Sequence, residues 1–388
     1  MRYLTAGESH GEALCGILEG VPAGLELDAN KINAELKRRQ SGYGRGARMR
    51  IESDTAHFFA GVRGGKTTGA PIAFLIENRD FENWTDVMSP FGAVSDRRAV
   101  TKVRPGHADF VGCIKYGFDD ARNVLERASA RETAARTVIG AICKQLLQRL
   151  GILIGSHVVS IGDVPNANAH TVYSAAELIE NADKNEVRCM NEEAAERMKK
   201  RIDRAKKDGD SLGGKIEVVI SGVPAGIGSY VQGDRRLDGI LAGACMSVQA
   251  IKAVEIGRYA DGAIAGTDAP DAVYPNGESY KRENNRACGI EGGMSNGEDI
   301  CIRAVMKPIP TTARGVDTVD IKTGKAARSE NERSDVCAVP AAAVVLENAA
   351  AFALADEILK TVGGDTASEA ERAVKLLREK AVSTVRGV

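Results

Sequence analysis

Lys215-Ile216-Glu217-Val218-Val219-Ile220-Ser221-Gly222-Val223-Pro224-Ala225-Gly226 reads as a strand that runs into a turn. β-Branched residues fill the run, and Gly-Val-Pro-Ala-Gly at 222–226 stops it. The same five residues stand at 20–24, again directly after a strand-like run, Gly16 to Glu19. A second pair can be laid side by side. Gly7-Glu8-Ser9-His10-Gly11-Glu12-Ala13-Leu14-Cys15 and Gly293-Met294-Ser295-Asn296-Gly297-Glu298-Asp299-Ile300-Cys301 share the pattern Gly-x-Ser-x-Gly-Glu-x-x-Cys. Two such repeats at similar structural places imply an internal duplication in which loop, strand and turn units are used twice.

Working outward, the clearest helix signal is Ser129-Ala130-Arg131-Glu132, a capping-box sequence ahead of apolar Ala135, Val138, Ile139, Ile142, Leu146 and Leu150, with Gly151 as the stop. A helix is expected from about Ala29 to Arg39, closed by Ser41-Gly42, and another after Pro340, whose missing N–H suits a first turn. Further helical signals fall at 189–207, 235–246 and 366–380. Strand-like runs fall at 70–76, 152–154, 215–220 and 300–306. The fold class is therefore α/β in the broad sense, of the α+β type. The elements do not alternate regularly around a G-x-G-x-x-G turn, which disfavours a Rossmann sheet. No Pro/Ser-rich linker or low-complexity tract divides the chain, so residues 1–388 are expected to form a single domain.

With 52 Lys+Arg against 53 Asp+Glu, nothing global points to nucleic acid or an anionic membrane. The start lacks an apolar signal-peptide core. The most apolar later stretch, Ala338 to Leu359, is broken by Pro340, Glu347 and Asp356. Eight cysteines without a C-x-x-C pair read as reduced thiols of a cytoplasmic protein, and five unclustered histidines give no metal site.

Basic chemistry must then be local. Lys37 to Arg50 holds six basic residues and no acid, spaced by glycines, so its guanidinium groups can converge on phosphate or carboxylate. The same segment also reads as a solvated basic loop or as an Arg/Gly-rich RNA contact. Arg104-Pro105-Gly106-His107-Ala108-Asp109 is a rigid turn presenting a histidine beside an arginine, and His10 sits likewise on a Gly-flanked loop. Arg127 to Thr133 places arginines at a helix N-terminus, which favours an anion; an ordinary cap with surface arginines has the same spelling. Gly61-Val62-Arg63-Gly64-Gly65-Lys66-Thr67 is one residue short of a P-loop.

GESHG at 7–11, RRQSGYGRGARM at 38–49, KTTGAPI at 66–72, RPGHAD at 104–109, ERASARETAAR at 126–136, GGMSNGED at 292–299, KPIPTT at 307–312 and RSDVCAVPAA at 333–342 together resemble the chorismate synthase family, in order. The resemblance implies a β-α-β sandwich with internal pseudo-twofold duplication, assembled as a homotetramer. It also implies an anti 1,4-elimination of phosphate from 5-enolpyruvylshikimate 3-phosphate, helped by reduced FMN without net redox change. Arg39, Arg45, Arg48, Arg104 and Arg131 would bind substrate. His10 would protonate the leaving phosphate, His107 would stabilise the reduced flavin, and Asp335 would act as the eventual proton acceptor. FMN contacts carried over are Arg127, Ala128, Ser129, Gln249, Ala250, Gly292, Lys307, Pro308, Ile309, Pro310, Thr311 and Arg333. Reduced flavin would come from an external flavin reductase or through NADPH.

Overall fold

The computed structural model describes residues 1–46, 53–166, 171–257, 265–277, 279–329 and 335–386. Two antiparallel sheets enclose a layer of helices. The first sheet contains β1 (Arg2–Ala6), β2 (Ala13–Glu19), β3 (His57–Ala60) and β4 (Ile72–Glu77), in the order β1-β2-β4-β3. The second contains β5 (Leu153–Ile161), β6 (Gly214–Ser221), β7 (Ile251–Ile256) and β8 (Ile300–Met306), in the order β5-β6-β8-β7, with the short strand Val164–Pro165 on its β5 edge. The two orders are the same. A register shift interrupts β3 against β4 between Phe58 and Ala60, and another interrupts β7 against β8 between Ile251 and Ala253.

The helices follow the same rule. In the first half α1 (Ala29–Gln40) follows β2, and α2 (Thr133–Arg149) follows β4; in the second α3 (Leu237–Met246) follows β6, and α4 (Val339–Val362) follows β8. Helix α2 packs on α4 and on β2, while α4 packs on β5 and β6. Gly140 is required at the α2–α4 crossing, because a Cβ there would meet Asn348 Cβ at 2.3 Å. Most of α4 is buried, and Pro340 occupies its first turn as expected. It is an apolar core helix, and no helix among the described residues is long and apolar enough to cross a membrane. One hydrophobic cluster runs through both sheets and the helices between them, from Leu14 and Phe74 through Ile139 and Leu346 to Ile220 and Ile302.

The duplication is real, but one of the two sequence pairings was misplaced. Gly-Val-Pro-Ala-Gly turns follow β2 and β6, with φ of 88° and 86° at Gly20 and Gly222 and 77° and 95° at Gly24 and Gly226. Thr67 Oγ1 donates to Pro22 O at 2.6 Å and accepts from Leu25 N at 2.9 Å. Ser295 Oγ does the same for Pro224 O at 2.6 Å and Ile227 N at 2.8 Å. The partner of residues 292–300 is thus 64–72, Gly-Gly-Lys-Thr-Thr-Gly-Ala-Pro-Ile, and not the 7–15 loop. The same bonds dispose of the P-loop reading, since Gly64-Gly65 form the tip of a tight hairpin.

At Ser129 the backbone departs from expectation. Ser129 Oγ accepts from Arg131 N, but the next three residues form a 3-10 turn (Ala130–Glu132), and α2 begins only at Thr133. Glu132 does not close the capping box; its carboxylate is taken by Thr5 Oγ1 at 2.9 Å and Gln249 Nε2 at 3.2 Å. The apolar positions expected from Ala135 to Leu150 are all buried.

Candidate active site

The C-terminal ends of α1 and α3 and the N-terminal ends of α2 and α4 meet around a cavity of about 590 Å³, a size suited to a small-molecule site. Arg39, from the last turn of α1, is 5% exposed. Its Nε donates to Thr133 Oγ1 and its Nη2 to Ala130 O, both at 2.9 Å, while Nη1 is buried without a hydrogen-bond partner. Asp54 lies between it and Arg131, 3.6 Å from Arg39 Nη1 and 2.7 Å from Arg131 Nη1. Burial, with Arg131 and Arg45 nearby, outweighs Asp54 and pushes the Arg39 guanidinium down to about 9. It is still charged at neutral pH and short of anions, which a phosphate or carboxylate would supply.

On the opposite wall Arg104-Pro105-Gly106-His107 forms a β-turn closed by His107 N to Arg104 O at 3.2 Å, with Gly106 at φ 81°. Proline at the second position and a left-handed glycine at the third define a type II turn. It delivers His107 Nδ1 to Asp109 Oδ1 at 2.5 Å. Arg104 Nε reaches Asp109 Oδ2 at 2.7 Å, and Arg104 Nη1 reaches Thr311 Oγ1 at 3.1 Å. Burial would raise the Asp109 carboxyl, but the hydrogen bonds from His107 and Arg104 hold it well below the usual carboxylate range. Asp109 therefore accepts a hydrogen bond from Nδ1–H and leaves Nε2 as the ring nitrogen available for proton exchange. Just ahead of α4, Asp335 Oδ2 lies 2.6 Å from Arg45 Nη1, and its Oδ1 accepts from Gly46 N at 2.6 Å.

Fourteen residues singled out from the sequence line this cavity: Arg39, Arg45, Arg104, His107, Ala128, Ser129, Arg131, Gln249, Ala250, Lys307, Ile309, Pro310, Thr311 and Asp335. Arg48 and Arg333 lie outside the described residues. His10, Arg127, Gly292 and Pro308 are not among the lining residues. His10 sits one residue from Ser9, whose Oγ accepts from Ser129 Oγ at 3.2 Å. Its Nδ1 is 2.9 Å from Glu126 Oε1, and its ring stacks on Trp84 at 3.8 Å. Arg127 donates instead to the carbonyls of Thr5 and Gly7 and to Thr5 Oγ1. Sequence reasoning missed Asp54, Asn78 and Thr133, which anchor Arg131 and Arg39, and it passed over Asp109 and Glu126 inside motifs it had quoted. An acid two residues after His107 was the available signal for Asp109.

The residues fit a flavin as well as an anion. Val248, Ile309, Ala338, Ala341, Ala342 and Val345 give apolar wall for a flat ring, and Arg39 Nη1 and Gln249 Oε1 are buried polar atoms lacking partners. The RNA reading finds no support. Arg38 is tied to Glu347, Glu35 and Asp183, and Arg39 and Arg45 turn into the cavity.

A duplicated β-α-β sandwich with a cationic, partly apolar pocket at its pseudo-twofold centre defines an enzyme that acts on a small polyanion. The profile of the chorismate synthase family matches residues 1–359. The chorismate synthase of Alkaliphilus metalliredigens is 50% identical over 376 residues, covering 96% of this chain and 98% of its own. That of Syntrophotalea carbinolica is 51% identical over 375 residues, 96% of each chain. A solved crystal structure of chorismate synthase is 40% identical, covers 98% of each chain and superposes with a TM-score of 0.78. The chain belongs to the chorismate synthase family, and it is a carbon–oxygen lyase of aromatic biosynthesis.

Proposed function

We propose that the family's reaction, the anti 1,4-elimination of phosphate from 5-enolpyruvylshikimate 3-phosphate to chorismate, takes place in the cavity between Arg39 and His107. The observation that carries this reading is the convergence of Arg39, Arg45, Arg104 and Arg131 with His107 and Asp335 on one partly apolar cavity. A substrate with two carboxylates and a phosphate needs several guanidinium partners shielded from water, and this is that supply. Arg48 is added to them by resemblance.

Ala128, Ser129, Gln249, Ala250, Lys307, Ile309, Pro310 and Thr311 would hold FMN, with Arg127, Gly292, Pro308 and Arg333 added by resemblance. Reduced FMN, when bound, lends electron density that helps phosphate leave and takes it back afterwards. His107, oriented by Asp109, holds a proton at the cavity wall. Asp335 receives the ring proton, and His10, the chain neighbour of the Ser9 whose hydroxyl meets Ser129 of the cavity wall, protonates the departing phosphate.

Anaerobic incubation with substrate and photoreduced FMN should release phosphate. His10→Ala and Asp335→Ala should bind flavin yet turn over poorly, and full activity in either removes that residue from its role. Repeating the assay with oxidised FMN and NADPH alone separates a chain that reduces its own flavin from one served by an external reductase. The whole chain is read as one cytoplasmic domain, supported by the single cluster shared by both halves. The homotetramer is carried over by resemblance, and Leu4 and Ile17, exposed cross-strand neighbours on the outer face of the first sheet, offer apolar surface for a contact between subunits. Light scattering reads that assembly.

A further inference from the structure

Gln249 lines the cavity with its carboxamide, and which end of that amide the ligand meets is decided by residues that do not line it. The chain of bonds begins at Arg127, whose Nη2 donates to Thr5 Oγ1 at 2.8 Å. A guanidinium only donates, so the Thr5 hydroxyl accepts here and must spend its own proton elsewhere. Its partner is Glu132 Oε1, at 2.9 Å. Glu132 sits at the entrance to α2, and its carboxylate accepts the hydrogen bond that the Thr5 hydroxyl donates. A carboxylate only accepts, so its other oxygen, 3.2 Å from Gln249, must face the Gln249 amino group. The orientation of an amide is ordinarily ambiguous, but here every link in the chain has one allowed direction. The carbonyl oxygen is left over, and Gln249 Oε1 is buried without a hydrogen-bond partner.

We propose that Arg127, Thr5 and Glu132 are positioning residues that lock the Gln249 carboxamide with its oxygen reserved for the ligand, so that this part of the cavity selects a ring bearing an imide N–H. The inference rests on the flavin reading of the cavity, because the pyrimidine ring of a flavin keeps such a donor in all its redox states. It gives Arg127 a task that needs no place in the lining, and it explains why Glu132 abandons the capping box. An orphaned buried acceptor destabilises the empty site, and a ligand donor removes that penalty.

Replacing Glu132 by Gln reverses the lock. The Thr5 proton then needs the new amide's oxygen, whose amino group turns toward Gln249, which flips and shows its own amino group to the ligand. The test is a fluorescence titration of oxidised FMN and of 3-methyl-FMN, which lacks the imide N–H, into wild type, Glu132→Gln and Thr5→Val, each checked for folding by circular dichroism. Wild type should prefer FMN by about tenfold, the worth of one buried hydrogen bond. Glu132→Gln should lose that preference, and Thr5→Val should lose part of it. A steric clash with the methyl group would persist in Glu132→Gln, so a preference retained there overturns the lock, as does a wild type that binds both flavins equally. Should Glu132→Gln not fold, Glu132→Ala, which removes the acceptor that holds the Gln249 amino group, carries the same decision: the preference for FMN should be lost, and its retention overturns the lock. Wild type that binds neither flavin refutes the flavin reading itself, and the lock falls with it.

Discussion

The two halves of this chain build the same scaffold and put different chemistry on it. Sheet orders, register shifts, the Gly-Val-Pro-Ala-Gly turns and the hydroxyl bonds of Thr67 and Ser295 correspond one to one. The connections from the last sheet strand to the long helix do not. In the first half, residues 78–132 carry Arg104, His107, Asp109, Glu126 and Arg131; in the second, 307–338 carry Lys307 to Thr311 and Asp335. Backbone geometry and apolar packing tolerate duplication because they ask only for pattern and volume. A reaction that must bind an anion on one side and take up a proton on another requires the halves to differ.

The largest effect that can break this comparison is on rate. His107→Ala and Asp335→Ala, one from each connection, should each lower kcat by up to about 10⁴-fold while the protein stays folded. Loss from one half alone, measured as anaerobic phosphate release, would mean that a single connection holds the chemistry.

Glu347 of α4 is fully buried among Arg38, Lys144 and Arg188, one or more from each half. Burial would raise its carboxyl, but those three cations hold it well below 4.5. Because the folded value is depressed, the stability it contributes is present above the ordinary value of 4.5 and is lost as pH falls from there through the folded value. Glu347→Gln should cost about 3–5 kcal/mol near neutrality and flatten the acid limb of a denaturation-versus-pH curve. An unchanged acid limb would separate the seam between the halves from acid stability.

Gly140→Ala, at the crossing of α2 and α4, should destabilise by about 1–3 kcal/mol through overpacking against Asn348, read as a fall in Tm. The smallest test is the sharpest. Thr67→Val and Ser295→Ala each remove one buried hydroxyl that serves a carbonyl and an N–H, and each should cost about 1–2 kcal/mol in urea unfolding. If the turns are true counterparts the two losses agree; a loss at one alone shows that only one half still depends on the bond.

Much of this was written in the chain. Helices α1, α2 and α4 announce themselves by apolar spacing and by Ser41-Gly42, Gly151 and Pro340, and the repeated turn exposes the duplication. Such signals are legible because they depend on residues close together in sequence. The pairing of 64–72 with 292–300 is spelled out as Gly-Gly-x-Thr/Ser-x-Gly-x-x-Ile, but the 7–15 loop offers a competing match to the same segment, and the bonds to Pro22 and Pro224 decide between them.

The sequence by itself determined the family, the elements and the stock of arginines and histidines, since these are properties of composition and local pattern. Only the tertiary structure decided that Arg39 faces inward while Arg38 serves Glu347, that Asp109 rather than solvent orients His107, and that Arg127 bonds to Thr5 instead of lining the cavity. A side chain's partner depends on which distant segments pack beside it, and that is settled when the helices between the sheets close on one another.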